Sequence, residues 1–273
     1  MLLQGKKLLV TGVLTPQSIA FGIAEQAQKE GAQLLLTSFG RPMSLTQRSA
    51  KKLSPAPEVL ELDVTQPAHF AALAGAVKER FGKLDGVLHA IAFAPEDALG
   101  GRFLTTPWES VQQAFRISTF SLKELAAACA PLMTDGGSIL TLDFDNSTQA
   151  WPIYDWMGVC KAGLVATMRY LARDLGPKKI RVNALAAGPL KTIAAKGIPG
   201  FKHLENKWHR QSPLGWDAGS DACALAVART AVAMLSDAMA YTTGEVVHVD
   251  GGYHAMGAEP PDSTDMEPKV APQ

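Results

Sequence analysis

The residues that could do chemistry cluster in Ile153–Ala162, which reads I-Y-D-W-M-G-V-C-K-A. Tyr154 and Lys161 are seven residues apart in a stretch with helical character. Seven steps of 100° make nearly two turns, which predicts both side chains on one face, roughly 10 Å apart along the axis. A phenol that donates a hydrogen bond and a nearby ammonium would stabilise an oxyanion. A packed Tyr at a helix start and a snorkelling Lys satisfy the same spacing.

A second group of residues lies at the ends of short apolar runs. Thr11-Gly12 closes the first run and leads into V-L-T-P-Q-S-I-A-F-G-I-A-E. The next glycine is Gly22, so the G-x-G-x-x-G dinucleotide pattern is absent. Its physical parts remain. Gly12 permits a tight turn, Ser18 or Ile19 opens a helix whose amides can face a pyrophosphate, and Ala20, Gly22 and Ala24 would keep that helix close to a sheet. A generic strand–turn–helix packed with small residues is the alternative.

The second run ends in Thr37-Ser38-Phe39-Gly40-Arg41, with no acid for a ribose. Phe39 could lie against an adenine ring, and Arg41 could contact phosphate or face solvent. The third ends in Leu62-Asp63-Val64. Asp63 could accept from the adenine amino group or cap the helix before Pro67. The fourth ends in His89-Ala90-Ile91-Ala92-Phe93, small residues where backbone would pass a ribose and nicotinamide; His89 reads as a satisfied buried histidine.

These positions need a scaffold that brings strand ends together. Leu8–Val10, Gln33–Ser38, Val59–Leu62, Gly86–Ile91, Ser138–Leu142, Ile180–Leu185 and Glu245–Val249 read as strands. Helical spacing or Ala-rich composition covers Ile19–Lys29, Leu45–Lys52, Ala68–Phe81, Trp108–Met133, Tyr154–Leu175 and Asp221–Leu235. The alternation predicts an α/β fold: one Rossmann-like, doubly wound, seven-stranded parallel sheet with helices on both faces. One domain is expected over 1–256. Gly257–Gln273, with four prolines and few large apolar residues, reads as a disordered tail.

Charge is balanced, 26 basic against 26 acidic residues, so no long-range field calls for nucleic acid or anionic lipid. Cys129, Cys160 and Cys223 are odd in number and scattered, so neither a disulfide framework nor a metal site is expected, and a reducing cytoplasm is. The start lacks the form of a signal peptide, and no apolar run suggests membrane insertion.

Taken in order, T-G-x5-S-I-A-x-G-I-A, L-D-V, H-A-I-A-F-A-P, Y-D-W-M-G-V-C-K-A, A-A-G-P-L-K-T and T-G-E-V-V-H-V-D-G-G span about residues 3–256. Together they resemble the enoyl-acyl-carrier-protein reductases, a divergent branch of the short-chain dehydrogenase/reductases. Ordinary members of that superfamily carry Y-x-x-x-K; here only Tyr154-x6-Lys161 pairs a Tyr with a Lys, the longer spacing of the enoyl reductase branch.

The resemblance implies reduction of the trans-2 double bond of an enoyl-acyl-carrier-protein thioester with NADH in fatty-acid synthesis. It gives Tyr154 the enolate, and Lys161 the nicotinamide ribose hydroxyls. It lays the cofactor along Gly12, Ser18, Ile19, Phe39, Asp63, Val64, Ala90, Ile91, Ala92, Pro189 and Thr192. Phe93, Phe144 and Met157 would wall the acyl site. Ala194 and Ile198, in a substrate loop over about 193–212, would touch the acyl chain; an ordinary surface helix is the alternative there. The resemblance also implies a homotetramer. Ser38 and Arg41 leave room for NADPH, and Ala90 lacks a hydroxyl that many relatives place near the cofactor. Another short-chain reductase acting on a carbonyl or enoyl-CoA, or a non-catalytic dinucleotide sensor, remain alternatives.

Overall fold

The computed structural model describes residues 1–144, 149–198 and 200–258. The expected tail from residue 259 onward lies outside the described residues. The strands are β1 (Lys7–Val10), β2 (Gln33–Ser38), β3 (Glu58–Glu61), β4 (Gly86–His89), β5 (Gly137–Asp143), β6 (Ile180–Ala187) and β7 (Val246–Val249). They form one parallel sheet in the order β3-β2-β1-β4-β5-β6-β7. The expected doubly wound sheet is borne out.

The sheet is buried on both faces because its central strands carry large apolar residues on both sides. Leu8, Val10, Leu34, Leu36, Leu88 and Leu140 join one core, with α1 (Ile19–Lys29) and α9 (Asp221–Leu235). The alternate residues Leu9, Leu35, Val87 and Ile139 join the other, with α3 (Pro67–Phe81), α5 (Ser121–Cys129) and α6 (Asp155–Leu175). Strand side chains alternate faces, and each buried Leu contributes roughly 1.5–3 kcal/mol.

The remaining helices are α2 (Met43–Ala50), α4 (Trp108–Phe115), α7 (Ile193–Lys196) and α8 (Phe201–Gln211). The long helix expected over Trp108–Met133 is instead divided. Arg116–Phe120 makes a π turn between α4 and α5, and α5 stops at Cys129. Pro131, which lacks an amide hydrogen, falls in the single 3₁₀ turn that follows. β4 likewise ends at His89, two residues earlier than expected, because the chain turns away toward the site. Among the described residues, no helix is long and apolar enough to cross a membrane.

Candidate active site

The strand order reverses between β1 and β4, and parallel strands put all their C-terminal ends on one edge. At that switch point Gly12 has φ 79°, and a Cβ there would fall 2.0 Å from the Ala90 carbonyl oxygen. Only glycine fits. Thr11 locks the two strand ends together: its hydroxyl donates to the Leu88 carbonyl (3.0 Å) and accepts from the Ala90 amide (2.9 Å). Ser18 stands at the N-cap of α1, yet its hydroxyl oxygen accepts from the Leu14 and Thr15 amides rather than capping the helix. Ile19 begins α1, whose N-terminus therefore opens at the crevice. Ala20 and Ala24 are buried against the sheet as expected. Gly22 is different: an added Cβ there meets nothing within 4 Å, so close packing does not demand a glycine.

At the β2 end Phe39 is exposed, offering a ring face, and Arg41 is exposed beyond it. Ser38 is buried and accepts from the Thr46 hydroxyl at 3.0 Å. Asp63 does not cap α3, whose N-cap is Gln66. Its Oδ1 instead accepts from the amide and hydroxyl of Thr65, fixing the turn after β3, with Val64 buried behind. Ala90, Ile91 and Ala92 are increasingly open to solvent along the β4 end, and Phe93 is 46% exposed.

Tyr154 and Lys161 each lie against the end of β5, and Tyr154 is set there by more than helical geometry. α6 begins at Asp155, and Tyr154 is its N-cap. Asp155 lies in the left-handed region (φ 39°), and its carboxylate accepts from the Gly101 (2.6 Å) and Arg102 (2.9 Å) amides. That turn, not two regular helical turns, aims Tyr154. Its ring packs on Phe144, 5.2 Å between centroids. Lys161, 6% exposed, donates from Nζ to the Leu142 carbonyl at 2.6 Å.

The electrostatics at this point are those of a sealed pocket. Burial, then the negative charge of Asp143, pushes the Tyr154 phenol well above its ordinary pKa, so it stays a proton-bearing donor. Burial pulls Lys161 down, and Asp143 opposes that by favouring the charged ammonium. Cys160, between them in sequence, is pushed up to about 11 chiefly by burial. Asp143 is a residue the sequence reading missed. The available signal was an acid closing the otherwise apolar strand S-I-L-T-L.

The third wall is the segment after β6. Pro189 is buried, and its carbonyl accepts from the Trp216 indole N–H at 2.8 Å. Trp216 also lies where a Cβ on Gly188 would be, 2.6 Å away, so this wall follows the ring closely. Thr192 caps α7 by accepting from the Ala195 amide at 3.0 Å. A cavity of about 420 Å³ separates this loop from the β4 end and is lined by Ala94, Glu96, Leu99, Lys196, Gly197 and Ile198. Of the expected acyl-site residues, Ile198 lines this cavity, while Phe93, Phe144 and Tyr154 do not; Met157 is buried close to Tyr154 on α6. Ala194 is exposed on α7 and does not line that cavity. Trp208 of α8 is fully buried, stacked on Tyr253 at 3.8 Å and 5.2 Å from Phe144. This aromatic contact anchors the loop; Phe201, Leu204 and Trp208 recur at i, i+3, i+7, so periodicity marks the buried face of α8 but not its aromatic partners.

The residues suit a dinucleotide: a glycine forced by close backbone approach, a helix N-terminus at the switch point, small residues along β4's end, and a buried ammonium and a buried phenol near the end of β5. Fold and site together define a nicotinamide-dependent reductase of the doubly wound class. A family model described as Enoyl-(Acyl carrier protein) reductase matches residues 12–254. The chain is 41% identical over 265 residues to the enoyl-acyl-carrier-protein reductase (NADH) of Mycolicibacterium smegmatis, covering 92% of this chain and 97% of that protein. It is 40% identical over 272 residues to enoyl-acyl-carrier-protein reductase (NADH) 1 of Rhizobium meliloti, covering 97% and 96%. A Bacillus cereus reductase of the same description is 39% identical over 261 residues, covering 94% and 99%. The chain belongs to the enoyl-acyl-carrier-protein reductase family.

Proposed function

We propose that this enzyme, which reduces enoyl-acyl-carrier-protein thioesters with NADH in fatty-acid synthesis, does so with Tyr154 and Lys161 as its working pair. NADH, when bound, supplies the hydride that adds to the β-carbon of the trans-2-enoyl group. Negative charge then develops on the thioester oxygen. Tyr154, held protonated by burial, donates a hydrogen bond to that oxygen, and the bond strengthens as charge accumulates. Lys161 is oriented by the Leu142 carbonyl and serves the ribose hydroxyls while adding positive potential. Phe144 packs against the Tyr154 ring, excludes water and cannot itself donate a proton.

The observation that carries this reading is that a buried phenol and a buried ammonium both feel the Asp143 carboxylate at the end of β5. Purified protein mixed with crotonyl-acyl-carrier protein should oxidise NADH, followed by the absorbance of the reduced nicotinamide, and prefer it to NADPH. No oxidation with either cofactor across several acyl lengths would sink it.

A homotetramer is part of the proposal. Phe115, Phe120, Val159 and Tyr170 are exposed on α4, the π turn and α6. Phe115 lies over α6, where a Cβ on Gly163 would meet its ring at 3.0 Å, which makes the two helical faces one apolar surface.

A further inference from the structure

The π turn Arg116–Phe120 adds a residue to one helical turn, and such insertions redirect side chains locally. Ser118, within it, is fully buried. Its hydroxyl oxygen accepts the Phe93 amide at 2.9 Å, and the same hydroxyl donates to the Phe93 carbonyl at 2.9 Å. One side chain therefore satisfies both backbone polar groups of one residue, on the loop that leaves β4 for the site. Phe93 is 46% exposed, so packing holds it only in part and the clamp on its backbone adds what packing lacks.

The clamp has a rigid base. Next to it, the Thr119 hydroxyl donates to the Cys160 carbonyl at 2.7 Å, tying the π turn to the residue before Lys161. One residue past the turn, Ser121 lies 2.8 Å from His89 at the end of β4. The turn is thus bonded to α6 and to the sheet, and its remaining buried hydroxyl is committed to Phe93.

We propose that Ser118 is a positioning residue for the enoyl substrate, acting through Phe93 by holding its backbone so that the ring walls the acyl site. The inference rests on the reading of Phe93 as a substrate contact. It predicts a cost in substrate binding with little cost in cofactor binding, since the clamp closes on Phe93 alone.

The test is a double-mutant cycle read in KM for crotonyl-acyl-carrier protein, with NADH affinity measured in parallel by fluorescence. Ser118→Ala should raise that KM about tenfold, as expected for loss of two hydrogen bonds, and leave the NADH Kd within about twofold. Ser118→Cys fills the same space with a weak hydrogen-bonding group and should behave like the alanine variant. Phe93→Ala should raise KM, and Ser118→Ala should add nothing on that background. A wild-type KM in Ser118→Ala, wild-type behaviour of Ser118→Cys, an equal loss of NADH affinity, or full additivity with Phe93→Ala would each overturn the clamp. An unchanged KM in Phe93→Ala would overturn the reading of Phe93 itself, whatever the Ser118 variants show.

Discussion

His89 ends β4 with both ring nitrogens engaged, Nδ1 at 2.9 Å from the Thr141 hydroxyl and Nε2 at 2.8 Å from Ser121. The Ser121 hydroxyl donates to the Ile117 carbonyl at 2.6 Å, so Nε2 must carry the ring proton and Nδ1 accepts from Thr141. Burial, helped by the nearby Lys161 charge, pulls the imidazole pKa from 6.5 to about 3. Below pH 6.5 the unfolded chain takes up a proton that the folded chain refuses, so stability falls with pH through that window. The linkage amounts to roughly 5 kcal/mol in full and about 2 kcal/mol between pH 7 and 5. Urea unfolding at the two pH values should show that loss, with a flatter dependence in His89→Gln; identical slopes in both proteins would contradict it. The sequence already read His89 as a satisfied buried residue, because a histidine ending an apolar strand has little other place to go. Tyr154 and Lys161 were legible too, through their spacing. The left-handed Asp155 that aims Tyr154, and the Ser118 hydroxyl that holds Phe93, were not: both depend on contacts with segments more than twenty residues away.

Elements with strong local signals fell where periodicity put them, α1 and α9 over the same residues expected from sequence. The region from Trp108 to Met133 did not, because a π insertion leaves the helical composition intact while changing which side chains face inward. The outer faces of α4, the π turn and α6 also carry information that local periodicity does not: Phe120 and Tyr170 are exposed apolar residues on helices that already bury their opposite sides. The proposed tetramer would cover that surface with a second copy of the chain. Phe120→Glu would place a charge in the proposed contact, and sedimentation should then show a species smaller than the tetramer expected of the wild type. An unchanged mass in the variant would move the contact to another face.

At the scale of the whole molecule, the seven-stranded order decides where the site forms. Reversal between β1 and β4 brings Gly12, Ala90 and the α1 N-terminus to one crevice, while the start of α6, against the end of β5, holds Tyr154 and Lys161, and the segment after β6 holds Pro189. The sheet was readable from alternating apolar runs because strands buried on both faces leave a continuous apolar signature. The site was readable only in part, since side chains such as Trp208 and Trp216 reach it from segments without a chemical motif. The central claim is that Tyr154 stabilises charge on the thioester oxygen and does not hold the cofactor. It is tested most directly by Tyr154→Phe, assayed for turnover of crotonyl-acyl-carrier protein and, separately, for NADH binding. The account predicts a kcat at least about 100-fold lower with an NADH Kd within about twofold of the wild type. Undiminished turnover, or a loss carried by NADH affinity, would contradict it.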